Sequence, residues 1–462
     1  MAKPKTAPCV KRRLRFLKRR GPLLLFLLAC LLLRALLYSS LVPRAHIDSV
    51  TYLVLSDLNP VRTPGYPVFI ALLQFFNDLF SLTPRYLHVI VFGQMFILGL
   101  LNSYLIYLLA RRISGSEGFA LFMGVIYNLD YFVIGFEYLV LTETLSLTLL
   151  GLTLLFYLKI FEQKKSAPYL AGLLSVGLLL TRPSFVALFL CLAAASALVH
   201  WPRKGKGGGL RAWLRPLAIF LLLNFVGLLS WSLRNKVKHD YFGVSTILPF
   251  QLGYFTQHFY WKYKPGSDTE LDRLASIVFE EKGQPFRVTW RLIEDWQMPE
   301  VEISRLLLRF NLRLIRDNPG DYLRLLPTAA AHYYDYSWYW TELQDRGIFE
   351  RFPFLAPPLR FFSHVYAWIF KKTMVLVMAV LVIPVIFLVA VRKRRNLFHP
   401  VFLLEGTIHY NFFITILLTP GGINNLRYRV PVEPLILLVL YGAIFFLGRQ
   451  VGDWLCRHRA SM

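Results

Sequence analysis

Apolar runs long enough to cross a bilayer, about 20 residues each, recur along the whole chain and leave it few ways to fold. They fall at about 22–43, 87–110, 118–138, 139–161, 213–233, 366–391, 398–419 and 430–448, with shorter ones at about 168–181 and 183–200. Hydrocarbon offers the backbone no hydrogen-bond partner, so each run has to satisfy its own N–H and C=O groups as a helix. Ten spans result, and the fold class is an all-α polytopic membrane bundle. Hydrophobic residues make up 56% of the 462, and mean hydropathy is +0.48. A net charge of +25 would suggest nucleic acid as the partner of a soluble chain. Here the lysines and arginines gather in short clusters between apolar runs, which marks cytoplasmic loops instead. Membrane lipids, and no nucleic acid, are the expected surroundings.

Those clusters set the sidedness. Lys11-Arg12-Arg13 and Lys18-Arg19-Arg20 keep the tail 1–21 in the cytoplasm, and the first run reads as an uncleaved span leading outward. The run from Pro64 to Leu82 is apolar too. If it crossed, Arg111-Arg112, Lys164-Lys165, Arg203-Lys204-Lys206 and Arg392 to Arg395 would all face outward. A juxtamembrane helix, or one that dips into the outer leaflet, places all four inside. An N-terminal membrane module then covers 22–235, with its first external loop at 44–86. Residues 236–364 are more polar, are broken by Gly and Pro, and read as a small extracytoplasmic, mainly helical region. Within it, Val301, Ile303, Leu306, Leu307, Phe310 and Leu314 recur at helical spacing. The aromatic group Tyr333 to Trp340 suits an interface. A C-terminal membrane module, 365–448, and a basic cytoplasmic tail, 449–462, complete the chain. The four cysteines show no CxxC spacing, so neither a zinc site nor a disulfide framework is expected.

This topology brings charged and aromatic groups from distant places to the outer ends of the apolar runs. Asp48 and Tyr52 come just after the first run. Arg62, in Arg62-Thr63-Pro64-Gly65-Tyr66-Pro67, precedes the juxtamembrane helix. Glu143, Arg182, Arg234, Asn235, Arg427, Tyr428 and Arg429 sit at later run ends. Charge beside hydrocarbon is costly and is usually functional. A carboxylate can take a proton from an attacking group, and guanidiniums grip phosphate through paired, charge-assisted bonds. Asp48 and Glu143 are thus candidate catalytic acids. Arg62, Arg182, Arg234, Arg427 and Arg429 are candidate phosphate ligands, and Tyr52, Tyr66, Asn235 and Tyr428 candidate substrate contacts. Taken singly, Arg182, Arg234, Arg427 and Arg429 also read as headgroup anchors, each tyrosine as part of the interfacial belt, Glu143 as a helix N-terminal acid and Asp48 as an interfacial cap. A transporter or flippase for a lipid-linked or anionic solute would use the same arginines as a path, and stands as the alternative. A divalent ion, Mg or Mn, shared by Asp48 and Glu143 is a further option.

The order of these groups resembles the GT-C membrane glycosyltransferases, in particular bacterial relatives of dolichyl-phosphate-mannose protein mannosyltransferases and of the lipid A aminoarabinose transferase. The resemblance rests on Asp48 with Tyr52, Arg62 to Pro67, Leu141-Thr142-Glu143-Thr144, Leu180-Thr181-Arg182-Pro183, Trp231 to Asn235 and Arg427 to Pro434. It implies a GT-C-like bundle in a bacterial-type plasma (inner) membrane, with both termini cytoplasmic. It also implies a polyprenyl-phosphate sugar as donor, an inverting displacement, and a lipid, polysaccharide or protein acceptor. Asp48 matches the family's first-loop aspartate, which deprotonates or orients the acceptor hydroxyl, and Glu143 falls near its second acidic position. Arg62, Arg182 and the Arg427/Arg429 pair stand where the family binds donor phosphate. Two departures bear on metal use and acceptor class: Ser49 comes after Asp48 where well-studied members have an acid, and Glu143 stands where Asp is common.

Overall fold

The structure, a computed structural model, describes residues 7–40, 43, 47–53, 62–83, 85–200, 210–333, 348–358, 360–361, 395–418 and 424–459. The expected span at 366–391, the aromatics 334–340 and the turn at 420–423 lie outside them. The described residues are helical and contain no strand.

The protein is a multi-pass helical membrane protein. Its helices are α1 Ala7–Ser40, α2 Gly65–Phe80, α3 Tyr86–Ser114, α4 Glu117–Leu129, α5 Tyr131–Glu137, α6 Glu143–Ile160, α7 Ala167–Thr181, α8 Leu188–His200 and α9 Leu210–His239. After these come α10 Ile247–Thr256, α11 Thr269–Glu280, α12 Pro285–Glu294, α13 Glu300–Asp317, α14 Pro319–Tyr333, α15 Arg395–Leu418, α16 Asn424–Arg429 and α17 Glu433–Arg459. Among the described residues, six segments are long and apolar enough to cross a membrane, in α1, α3, α6, α9, α15 and α17. Leu24, Leu25, Leu28, Leu31 and Leu32 of α1 are exposed, the outward apolar face that lipid, rather than water, would cover.

Three expected spans differ from the sequence reading. The run 118–138 is broken at Asp130, whose carboxylate accepts from the backbone N–H of Phe132 (3.1 Å) and Val133 (3.4 Å) and so caps α5. The runs at 168–181 and 183–200 form α7 and α8, of 15 and 13 residues. At 1.5 Å per residue these span about 20–23 Å, less than the roughly 30 Å hydrocarbon core. α2, at 16 residues, is also short. It buries Tyr66, Ile70 and Leu73 and exposes Val68, Leu72, Phe75, Phe76, Leu79 and Phe80.

One apolar core runs through α3 to α8, α15 and α17, and a second joins α11, α12 and α13. The amphipathic stretch at 299–316 is α13, with Ile303, Leu306, Leu307, Phe310 and Leu314 buried. α3 carries a π-helical turn at Gly93–Gly99. A fully buried ion pair faces it: Arg34 of α1 donates to both oxygens of Glu137 (2.9 and 2.8 Å) and to Asn128 Oδ1 (2.5 Å). Tyr127 adds a bond to Glu137 (3.0 Å). A charge this deep persists only when paired and hydrogen-bonded. Gly99 is the contact that admits the pair, since a Cβ there would lie 2.4 Å from Arg34 Nε and 2.5 Å from Glu137 Oε2.

Candidate active site

Asp48 lies beyond the C-terminus of α1, Glu143 opens α6, Arg182 ends α7, and Arg427 lies just before α17. The alternating helix directions therefore put all four at the same end of the bundle. Local chemistry then fixes each one.

Asp48 sits in a 3-10 turn, Ile47–Ser49, tied down by its neighbour: Ser49 is buried and donates to the Val140 carbonyl (2.7 Å). Arg62 stands ahead of the Pro64-Gly65 start of α2. Gly65 is required there by close approach, because a Cβ would lie 2.8 Å from both the Leu180 carbonyl oxygen and the Thr181 nitrogen. Tyr66, buried, hydrogen-bonds Gln94 of the π turn, and Gln94 donates onward to the carbonyls of Glu137 (3.0 Å) and Leu139 (2.7 Å). The segment 137–143 is thus held by Arg34, Gln94 and Ser49 before it delivers Glu143. Pro183 biases the preceding residue away from helical geometry; Arg182 is accordingly extended, and α7 stops.

The side chains meet in one ion-pair chain. Arg62 Nη2 donates to Asp48 Oδ1 (3.0 Å), and Arg427 Nη1 pairs with Asp48 Oδ2. Arg427 Nε donates to Glu143 Oε1 (2.8 Å), and Arg182 Nη1 lies 3.2 Å from the same oxygen. Arg182 Nη2 also donates to the Arg427 carbonyl (3.0 Å), while its guanidinium covers the Tyr428 ring at 4.8 Å. Arg62 bonds the Tyr52 hydroxyl (3.2 Å) and covers its ring at 4.8 Å, and Tyr52 meets Tyr66 edge to face at 5.1 Å. Of the residues singled out by sequence, Asp48, Tyr52, Arg62, Tyr66, Glu143, Arg182, Arg427 and Tyr428 therefore belong to one contiguous cluster.

The two acids differ in access. The Asp48 side chain is 30% exposed and the Glu143 side chain 0%. Asp48 can reach a substrate, whereas Glu143 is built as the counter-ion of Arg427 and Arg182. Burial works against the Arg427 charge, yet Glu143 and Asp48 beside it hold the guanidinium well above its ordinary pKa. Arg62 is raised likewise: burial opposes its charge, and Tyr52 and Asp48 favour it. Among the described residues, three guanidiniums face two carboxylates, one positive charge in excess and the right sign for an anionic ligand.

Arg429, Arg234 and Asn235 are engaged elsewhere. Successive residues on a helix are about 100° apart, so residues two apart face opposite sides. Arg429, fully buried, accordingly turns away from Arg427. It pairs with Glu433 (2.6 Å), donates to the Tyr333 carbonyl (2.6 Å) and covers the Phe132 ring at 4.9 Å. Arg234 covers Trp231 at 4.7 Å and bonds Asn235 Oδ1 (3.0 Å). Asn235 in turn donates to the Gly243 carbonyl (2.8 Å). These bonds close the turn that leads from α9 towards α10.

Three contributors were missed in the sequence. Gln94 was legible as a lone amide in an apolar run, and Ser49 only as the neighbour of Asp48. Tyr254 of α10 gave no signal. Its phenol is raised above its ordinary pKa by burial and then by the negative charge of Asp48, which marks α10 as a neighbour of the cluster. Among the described residues no three His, Cys, Asp or Glu side chains gather. Both acids offered to a Mg or Mn ion are turned onto guanidiniums, so the donor set does not fit a metal. No protein-family model matches the sequence, and a search of curated proteins gives no match.

Proposed function

We propose that this chain is an integral membrane glycosyltransferase that moves a sugar from a polyprenyl-phosphate donor to an acceptor hydroxyl on the extracytoplasmic face. The observation that carries the reading is the single cluster in which Asp48, partly exposed, shares Arg427 with a buried Glu143 and lies beside Arg62. The donor phosphate takes guanidinium N–H groups now turned towards Asp48, which frees that carboxylate. Asp48 then accepts the acceptor proton as the acceptor oxygen bonds to the anomeric carbon. The bond from that carbon to the phosphate oxygen breaks, and polyprenyl phosphate leaves with its added charge held by Arg62, Arg182 and Arg427. Donors aimed where charge develops lower the barrier most. Attack opposite the phosphate inverts the anomeric centre. A multi-pass topology with both termini cytoplasmic, in a bacterial-type plasma membrane, belongs to the same reading.

Asp48→Asn in membranes supplied with a polyprenyl-phosphate sugar tests it. Loss of the base is expected to lower transfer about 10²–10⁴-fold at normal expression, and undiminished turnover would refute the role. A transporter reading draws on one observation, the fully buried ion pair between Arg34 of the spanning α1 and Glu137 of the short α5. Acceptor-dependent release of polyprenyl phosphate separates the two, because a transporter leaves the donor intact.

A further inference from the structure

We propose that Arg427 is the resident cation of this site: its guanidinium fills the position between Asp48 and Glu143 that a shared divalent metal would otherwise bridge, so the chemistry proceeds without one. The inference rests on the transferase reading for its activity arm only.

Four observations carry it. Among the described residues, Arg427 alone contacts both carboxylates, through Nε to Glu143 (2.8 Å) and Nη1 to Asp48. The acceptor atoms are already engaged: Glu143 Oε1 faces Arg182 as well (3.2 Å), and Asp48 Oδ1 accepts from Arg62 (3.0 Å). A hard divalent cation needs six or more oxygen ligands, with carboxylates among them, and would enter beside three guanidiniums. Arg427 is also fixed from behind. Its own carbonyl accepts from Arg182 (3.0 Å), and two residues on, Arg429 is pinned by Glu433 and the Tyr333 carbonyl. Turning the guanidinium out of the site would break both of its ion pairs.

A guanidinium supplies one charge and directed N–H donors. It can hand those donors to an incoming phosphate while staying attached to the protein. A metal in the same place would supply two charges and open coordination positions. The two designs therefore differ in what a chelator and what removal of Arg427 would do.

The test uses the full-length protein in nanodiscs, with Mn²⁺ alone as the binding probe, read by electron paramagnetic resonance of the free ion. The wild-type protein is expected to bind no Mn²⁺ that Asp48→Asn abolishes. Arg427→Ala vacates the position, and its Mn²⁺ affinity is expected to exceed the wild-type level by at least about ten-fold, the scale on which one ligand-shell change acts. That gain should disappear in Arg427→Ala/Asp48→Asn. Arg427→Gln provides a second variant should the alanine form fail to fold. In the activity arm, wild-type transfer is expected to stay within about two-fold after chelation and to gain nothing from added Mg²⁺ or Mn²⁺. Asp48-dependent Mn²⁺ binding by the wild type would overturn the inference. So would a chelator-induced loss that Mg²⁺ or Mn²⁺ restores, or Arg427 variants that bind no more Mn²⁺ than the wild type. Absence of transfer under every condition would instead refute the transferase reading, and the binding arm would still decide this one.

Discussion

Arg427 and Arg429 lie two residues apart on one six-residue helix and serve different carboxylates, the first bridging Asp48 and Glu143 and the second pairing with Glu433. Their substitutions should therefore fail in different ways. Arg427→Lys keeps a charge but cannot span both acids, and is expected to lower transfer by about 10²–10³ while the chain still folds. Arg429→Met removes the guanidinium that pairs with the buried Glu433 and is expected to cost about 3–5 kcal/mol. Transfer assays set beside thermal inactivation of the purified protein separate the two. Equal losses of stability would contradict the division.

Gly65 lets the start of α2 touch the end of α7. In Gly65→Ala the new methyl meets the Thr181 side chain at 2.4 Å and the Leu180 carbonyl at 2.8 Å. Overpacking of this kind costs about 1–3 kcal/mol, and it also shifts Arg62, three residues away. Adding Thr181→Ala removes the side-chain clash but not the backbone one. The double variant should therefore remain impaired in both thermal stability and transfer, and full rescue would show that the backbone approach is unimportant.

The Arg34–Glu137 pair should show the asymmetry of a buried ion pair. Arg34→Met or Glu137→Leu alone strands a charge and is expected to destabilise by about 3–5 kcal/mol. The combined variant strands none and should recover a large part of that loss. Thermal inactivation of the four forms measures the coupling, and simple additivity would mean that the two side chains act independently.

Asp240 ties the end of α9 to α13. It pairs with Lys236 and Arg305, whose hydrogen bonds lower its pKa to about 2. Because the folded value lies below the ordinary one of about 3.9, the unfolded state binds more protons between them. The link is thus fully present above about pH 4 and is lost as pH falls through about 2. Pepsin cleavage near 240–246 should rise over that interval in the wild type. In Asp240→Asn it should be faster already at about pH 4 and should vary little below it.

Asp48 and Arg62 were legible because acid, tyrosine and arginine lie close together just after an apolar run, where a plain loop needs none of them. Arg182 was legible because Pro183, the next residue, marks a helix end. The division of labour between the acids was not, since only burial distinguishes Asp48 from Glu143. Arg427 and Arg429 were grouped because Asn424–Arg429 reads as a turn, in which residues two apart can converge. As a helix it sends them apart. The break at Asp130 was written in the sequence as an N-capping acid inside an apolar run, and overall hydropathy masked it. Arg34 and Glu137, over 100 residues apart, carried no local signal of their pairing.

The π turn at Gly93–Gly99 carries two fixed points of α3, Gln94 near its start and Gly99, against the Arg34–Glu137 pair, at its end. Each residue added to or removed from a helix rotates every later side chain by about 100° about the axis. The wider turn therefore works as a rotary offset, allowing Gln94 and Gly99 both to meet their partners although a uniform α-helix would swing one of them out of alignment. Removing a single residue from 93–99 would leave hydropathy almost untouched and still turn Gln94 away from Tyr66, so here the winding of a span, as much as its composition, sets what it presents.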